Sequence, residues 1–137
     1  MELSAAIQRL LVMKERYLTN IRLLSECYHA FQQMSAIQVR SFGLTLSQFD
    51  IIATLGNTAG MTLGELGQKT LITKGTLTGV VDRLEAKGLV KRSVKPEDRR
   101  STIVVLTVRG AREFERIFAP HVGFCKQIGR ASCRERV

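Results

Sequence analysis

Long apolar runs are missing from this chain of 137 residues, and none approaches the roughly 18 residues that a membrane-spanning helix needs. The N-terminal stretch MELSAAIQRLLVMKERYL has an acid at position 2 and basic residues within its apolar part, which is the reverse of a secretory signal. The three cysteines, Cys27, Cys125 and Cys133, show no CxxC or paired spacing. We therefore expect a reduced, cytoplasmic protein that makes no contact with a membrane.

Catalytic and metal-binding motifs are also missing. The sequence contains no GxxxxGK[ST], GxGxxG, HExxH or GxSxG motif, and its Ser, His and Asp residues form no constellation. His29 and His121 have no Cys, Asp or His at ligand spacing. We therefore expect no enzymatic activity, no metal site and no cofactor.

Positive charge is concentrated in one segment of the chain. Of the 21 basic and 12 acidic residues, which give a formal net charge of +9, residues 1–68 hold five of each kind. Residues 69–100 hold nine basic and four acidic residues, a local net charge of +5. A localised basic segment favours a polyanionic partner, although it also serves solubility alone.

Apolar spacing predicts mostly helices. Residues 4–41 have helical periodicity, with one candidate break near Thr19. Capping boxes at Thr45 and Thr62 predict the starts of two further helices, and Thr73 is expected to cap a fourth. The fourth helix has apolar residues at i, i+3, i+4 and i+7, namely Leu77, Val80, Val81 and Leu84, and Gly88 is a natural stop.

The stretch VKRSVKPEDRRSTIVVLT, residues 90–107, predicts a hairpin. Two β-prone runs flank Lys95–Arg100, whose proline and charges favour an exposed turn with a basic tip. Thr107 is expected to cap a final helix, and Ala119-Pro120 is expected to interrupt it.

Two short helices followed by a basic hairpin are typical of a winged helix-turn-helix. Small residues on the exposed face of the fourth helix would let it enter the major groove, where Thr and Lys side chains can contact phosphates and base edges. The candidate DNA-binding residues on this helix are Thr73, Lys74, Gly75, Thr76, Thr78 and Arg83. The alternative interpretation of this face is a solvated surface with threonine as filler.

The hairpin would act as the wing, with an arginine placed in the narrow minor groove. The candidate wing residues are Lys95, Asp98, Arg99 and Arg100. Asp98 is expected to hold the guanidinium of Arg100 in a bidentate pair. A surface ion pair of little energetic value is the alternative.

Three stretches resemble the MarR family of bacterial transcriptional regulators: LTLSQFDIIATL, MTLGELGQKTLITKGTLTGVVDRLEAKGLVKR and DRRSTIVVLTVRG. The resemblance covers about residues 22–120. It implies an α+β, mostly helical fold, in which dimerisation helices flank a winged helix-turn-helix. It also implies a repressor that binds double-stranded DNA as a homodimer on a pseudo-palindromic operator, and a small-molecule effector or oxidant that relieves repression. On this resemblance Thr73–Thr78 open the recognition helix, and Asp98 and Arg100 are the wing pair.

The expected domains follow from this organisation. Residues 1–44 would form an N-terminal dimerisation segment, residues 45–107 the DNA-binding domain, and residues 108–127 the start of truncated C-terminal dimerisation helices. The last ten residues, IGRASCRERV, match one reading frame of a common sequencing adapter, so residues 128–137 are expected to be a non-native tail.

Two other functions are alternatives. Some MarR-type proteins sense oxidants through a cysteine of the N-terminal helix, which would make Cys27 a redox sensor. No basic cluster surrounds Cys27 to lower the pKa of its thiol, so a buried structural role is favoured. A winged helix that binds protein or RNA is the other alternative, which the two adjacent arginines disfavour.

Overall fold

The computed structural model describes Ala5, Ile7, Gln8 and residues 15–134, with side chains as far as residue 130. The helices are α1 (Arg16–Ser41), α2 (Leu46–Leu55), α3 (Leu63–Thr70), α4 (Lys74–Ala86) and α5 (Val108–Arg134). The strands are β1 (Met61–Thr62), β2 (Val90–Lys95) and β3 (Asp98–Leu106). The predicted α+β, mostly helical fold with a winged helix-turn-helix is confirmed.

The chain divides into two compact units between Ile37 and Gln38. In the first unit, α1 runs without interruption from Arg16, so the break expected near Thr19 is wrong. Residues with good helix propensity on both sides carry the helix through this position. The part of the predicted helix before residue 15 lies mainly outside the described residues. Several large apolar side chains of α1 are more than half exposed, namely Tyr17, Ile21, Leu23, Leu24, Tyr28 and Ile37.

The second unit has a core built from α2, α3 and α4, closed by the sheet and by α5. Both predicted capping boxes are confirmed: Thr45 caps α2 with Gln48, and Thr62 caps α3 with Glu65. The apolar face of α4 predicted from periodicity is buried. The side chains with almost no exposure are Val39, Ile51, Ile52, Leu55, Leu66, Leu77, Val81, Leu84, Val90, Val104 and Ile117.

The sheet has the strand order β1-β3-β2, with both pairs antiparallel. The hairpin of β2 and β3 was predicted, but β1 was not, since a strand of two residues is too short to show an alternating pattern. Strand β1 pairs with β3, with Met61 opposite Val104 and Thr62 opposite Ile103. The sheet thereby anchors the start of α3 to the hairpin.

Thr107 joins the sheet to α5. Its hydroxyl donates to the carbonyl oxygen of Gly88 at 2.6 Å and accepts from the N–H of Gly110 at 3.0 Å, so its predicted capping role is confirmed. Gly88 has φ +73°, the left-handed conformation expected of the residue that ends α4.

The interruption expected at Ala119-Pro120 is wrong, because α5 continues through Pro120 to Arg134. Packing on both sides of the proline offsets its missing N–H. Phe114 and Ile117, which precede Pro120, are buried. His121, which follows it, packs against Phe49 with 4.4 Å between the ring centroids. The helix includes residues 128–134, whose origin in an adapter stays a prediction, as do the domain bounds. No helix in the described part of the chain has the length and apolar character needed to cross a bilayer.

Candidate nucleic-acid interface

The helix-turn-helix consists of α3, a turn at residues 71–73, and α4. The packing of α4 separates its two faces, because Leu77, Val80, Val81 and Leu84 are buried against the core. All the residues that the sequence predicted for DNA contact on this helix are exposed: Thr73, Lys74, Gly75, Thr76, Thr78 and Arg83. The structure therefore gathers them on the side that faces solvent, as the periodicity predicts.

The first turn of α4 has features that suit an anion. Thr73 is the N-cap residue, but its hydroxyl donates to the hydroxyl of Thr76 at 3.1 Å rather than capping a backbone N–H. The first turn contains no acidic residue. Backbone N–H groups at a helix N-terminus that no side chain caps are donors for phosphate. The side-chain capping bond expected of Thr73 is therefore absent, although Thr73 is the N-cap residue.

The tip of the hairpin is irregular, and this irregularity exposes the two adjacent arginines. The pairing of β2 with β3 passes from Val94–Thr102 directly to Lys95–Asp98. The three intervening residues, Arg99, Arg100 and Ser101, have no partner on β2. A bulge of this kind redirects side chains away from the sheet. Pro96 and Glu97 alone form the turn, so the tip is shorter than the six residues predicted.

Asp98 stabilises the bulge through the backbone. One carboxylate oxygen accepts from the N–H of Arg100 at 3.0 Å, and the other accepts from the hydroxyl of Ser101 at 2.9 Å. The backbone N–H of Arg100, then Ser101 and the charge of Lys95, lower the pKa of Asp98 and keep it ionised.

The expected bidentate pair between Asp98 and the guanidinium of Arg100 is therefore corrected. Among the described residues, Asp98 forms no ion pair with Arg100. The reason is proximity, since an Asp side chain readily reaches the N–H two residues later, as in an Asx turn. Arg99 and Arg100 are exposed, and Lys95 is half-buried opposite Asp98.

Arg92 also belongs to this region, although it was not among the residues predicted from the sequence. It extends from β2 to two carboxylates of α4: its Nη2 lies 2.6 Å from Asp82, and its Nη1 bonds Glu85. These hydrogen bonds, led by the one to Asp82, raise the pKa of Arg92. The sequence held a signal, because Arg92 is two residues after the buried Val90 and so lies on the same side of the strand. Arg92 thus links the wing to the recognition helix.

The cysteines and histidines form no second site in the part of the chain that the structure describes. No group of three or more His, Cys, Asp or Glu side chains there could hold a metal ion. Cys27 is exposed on α1, so the expectation that it is buried is wrong. Nδ1 of His121 lies 2.7 Å from Oε1 of Gln38, which can only accept a hydrogen bond, and Nε2 of His121 lies 3.5 Å from the sulfur of Cys125. The side chain of Cys133 lies outside the described residues.

Comparisons with known proteins agree on one family. The model of the MarR family matches residues 44–102. The HTH-type transcriptional regulator MhqR of Bacillus subtilis (strain 168) is 31% identical over 109 residues, which are 80% of this chain and 75% of that protein. The crystal structure of AbsC, a MarR family transcriptional regulator from Streptomyces coelicolor, has a TM-score of 0.73 and 25% identity, covering 80% of this chain and 76% of that one. The structure of NadR in complex with 4-hydroxyphenylacetate has a TM-score of 0.71 and 26% identity, covering 86% of this chain and 83% of that one.

Proposed function

The chain belongs to the MarR family of DNA-binding transcriptional regulators, and we propose that it is a ligand-responsive repressor that binds a pseudo-palindromic operator as a homodimer. Helix α4 contacts the major groove, and the wing contacts the adjacent minor groove. The observation that carries the DNA contact is the bulge of β3, which leaves Arg99 and Arg100 exposed on a hairpin that Arg92 joins to the recognition helix.

The major-groove contact rests on the exposed residues of α4. Gly75 adds no bulk near the start of the helix, which favours close approach to the bases. Thr76 and Thr78 present a hydroxyl and a methyl group, and Lys74 adds a charge near the phosphates. None of these residues is a strong bidentate reader of bases, so DNA shape supplies part of the specificity.

The minor-groove contact rests on the wing. The side chain of Arg100 enters the minor groove, and that of Arg99 lies along the phosphates. Asp98 acts through the backbone, because its carboxylate fixes the bulge from which Arg100 extends. Lys95 contributes charge at the end of β2.

The homodimer is supported by the exposed apolar side chains of α1, since a surface of this kind usually marks an interface between proteins. Segments 1–44 and 108–127 would supply the dimer helices. The ligand bound to NadR supports a small-molecule effector. We further propose that the protein is cytoplasmic, non-enzymatic, and independent of metals and cofactors.

The test begins with selection of binding sites from a random duplex pool, using the full chain. Fluorescence anisotropy then measures affinity for the selected duplex, a scrambled duplex and an RNA duplex at several salt concentrations. We expect an enriched sequence with two related half-sites. Equal affinity for all three duplexes would contradict the proposal, and preference for RNA would favour the RNA-binding alternative.

Variants of the wing test its mechanism with a matched pair of acids. Asp98→Ala should weaken binding, because it releases the bulge, whereas Glu97→Ala should strengthen binding slightly, because it only removes an exposed negative charge. Arg100→Ala should cost roughly 1–3 kcal/mol, and Arg99→Ala should lower the salt slope by about one unit. Arg112→Ala, which removes an exposed cation of α5, is the control for total charge. Tighter binding by Asp98→Ala would contradict the role of the bulge.

Redox control is a second candidate, favoured by the exposure of Cys27. Treatment with peroxide should then abolish binding of the unmodified chain to the selected duplex, and it should leave binding of the Cys27→Ser variant unchanged. Equal loss in both proteins would exclude Cys27 as the sensor.

A further inference from the structure

Leu71 stands out in the turn of the helix-turn-helix. Of the large apolar side chains described as exposed, it is the most exposed, at 86%. It directly follows α3 and precedes the N-cap of α4 by two residues. An apolar side chain in this position gains no burial energy from the folded chain.

The backbone of Leu71 makes the choice of leucine more unusual. Its φ of 58° and ψ of 15° lie in the left-handed region, which a β-carbon disfavours. Of the five described residues with positive φ, three are glycine and one is asparagine, which tolerate this conformation, and Leu71 is the exception. Glycine or asparagine would end α3 at lower cost. Neither packing nor backbone preference in the free protein therefore accounts for leucine here.

The surroundings of Leu71 indicate what covers it. Lys69 and Lys74 flank it in sequence and are both exposed, and the exposed threonines of α4 follow within a few residues. Cations beside an isolated apolar group suit a partner that offers both negative charge and small apolar groups. Duplex DNA offers both, as phosphates and as the C5-methyl groups of thymine in the major groove.

We propose that Leu71 packs against the C5-methyl group of a thymine and contributes to operator specificity. This inference rests on the proposed function, because it places Leu71 at the edge of the same major-groove contact. Lys69 and Lys74 then contact the phosphates on either side. Leucine strains the backbone of the free protein at this position, and its contact with the thymine methyl group forms only in the complex with DNA.

The experiment compares the unmodified full chain with Leu71→Gly and Leu71→Asn, both of which tolerate the left-handed conformation. The duplex is one selected from a random pool, together with copies in which each thymine in turn is replaced by deoxyuridine, which lacks only the methyl group. Anisotropy gives Kd, and thermal melting of the free proteins reports on the fold. Gln68→Ala, an exposed polar residue of α3, is the control.

We expect both Leu71 variants to bind about three- to tenfold more weakly than the unmodified chain, with melting temperatures that do not fall. One thymine-to-deoxyuridine change should weaken the unmodified chain by a similar factor and leave both variants unaffected. Unchanged affinity in the variants, or undiminished sensitivity to every deoxyuridine, would overturn the contact. If the unmodified chain selects no sequence from the pool, the proposed function itself fails, which is a distinguishable result.

Discussion

Replacing Arg92 by methionine tests how the wing is held against the recognition helix. The change keeps an unbranched, flexible side chain at this position and removes both bonds, to Asp82 at 2.6 Å and to Glu85. Hydrogen bonds to charged groups contribute roughly 1.5–3 kcal/mol when sheltered, and exposed ion pairs roughly 0.2–1 kcal/mol. The side chain of Arg92 is 29% exposed, and those of Asp82 and Glu85 are 59% and 42% exposed, so solvent screens the network substantially. We therefore expect a loss of about 1–2 kcal/mol for the whole network.

The assay is thermal and urea unfolding followed by circular dichroism. The expected loss corresponds to a fall in Tm of about 4–8 °C for a chain of this size. A double-mutant cycle of Arg92→Met with Asp82→Asn should give a coupling energy of about 0.5–1 kcal/mol, which shrinks as salt is added. Arg112→Met is the control on an exposed arginine. A coupling energy below about 0.3 kcal/mol would refute the link between wing and helix.

Three further predictions concern the support of the site. Gly56→Ala should destabilise the protein by roughly 1–3 kcal/mol in urea unfolding, because the new methyl carbon would lie 2.2 Å from the ring of Phe114; an unchanged midpoint would contradict this packing. Thr45→Ala should lose about 1 kcal/mol in the same assay, since it removes the hydroxyl that accepts from the N–H of Gln48, whereas Thr45→Ser should lose little. Burial lowers the pKa of His121, so the unfolded state binds the proton more tightly; the free energy of unfolding should fall as pH drops below the ordinary histidine pKa of 6.5, and His121→Phe should reduce that fall.

Local sequence signals predicted most of the fold. The capping boxes at Thr45 and Thr62 and the apolar spacing of α4 act within a few residues, so they appear directly in the sequence and are confirmed. The helix end predicted at Pro120 is wrong, because packing of α5 on other elements overrides the local preference of proline to end a helix. Strand β1 exists only through pairing with β3, which no pattern of two residues can indicate.

The exposure of the candidate interface residues was predictable from the sequence, but the geometry of the hairpin tip was not. Periodicity separated the buried face of α4 from the exposed one, and composition placed two arginines at the hairpin tip. The bulge at Arg99–Ser101 and the backbone bonds of Asp98 depend on strand register, which an irregular hairpin does not reveal in its sequence. The ion pairs of Arg92 join elements that only the fold brings together.

A dimethyl sulfate footprint on the selected duplex tests whether α4 contacts the major groove and the wing contacts the adjacent minor groove. This reagent methylates N7 of guanine in the major groove and N3 of adenine in the minor groove, so one experiment reports on both contacts. We expect the unmodified chain to protect guanines in two half-sites and adenines beside them, and Arg100→Ala to lose only the adenine protection. Adenine protection that persists in Arg100→Ala, or an absence of guanine protection in the unmodified chain, would contradict these contacts.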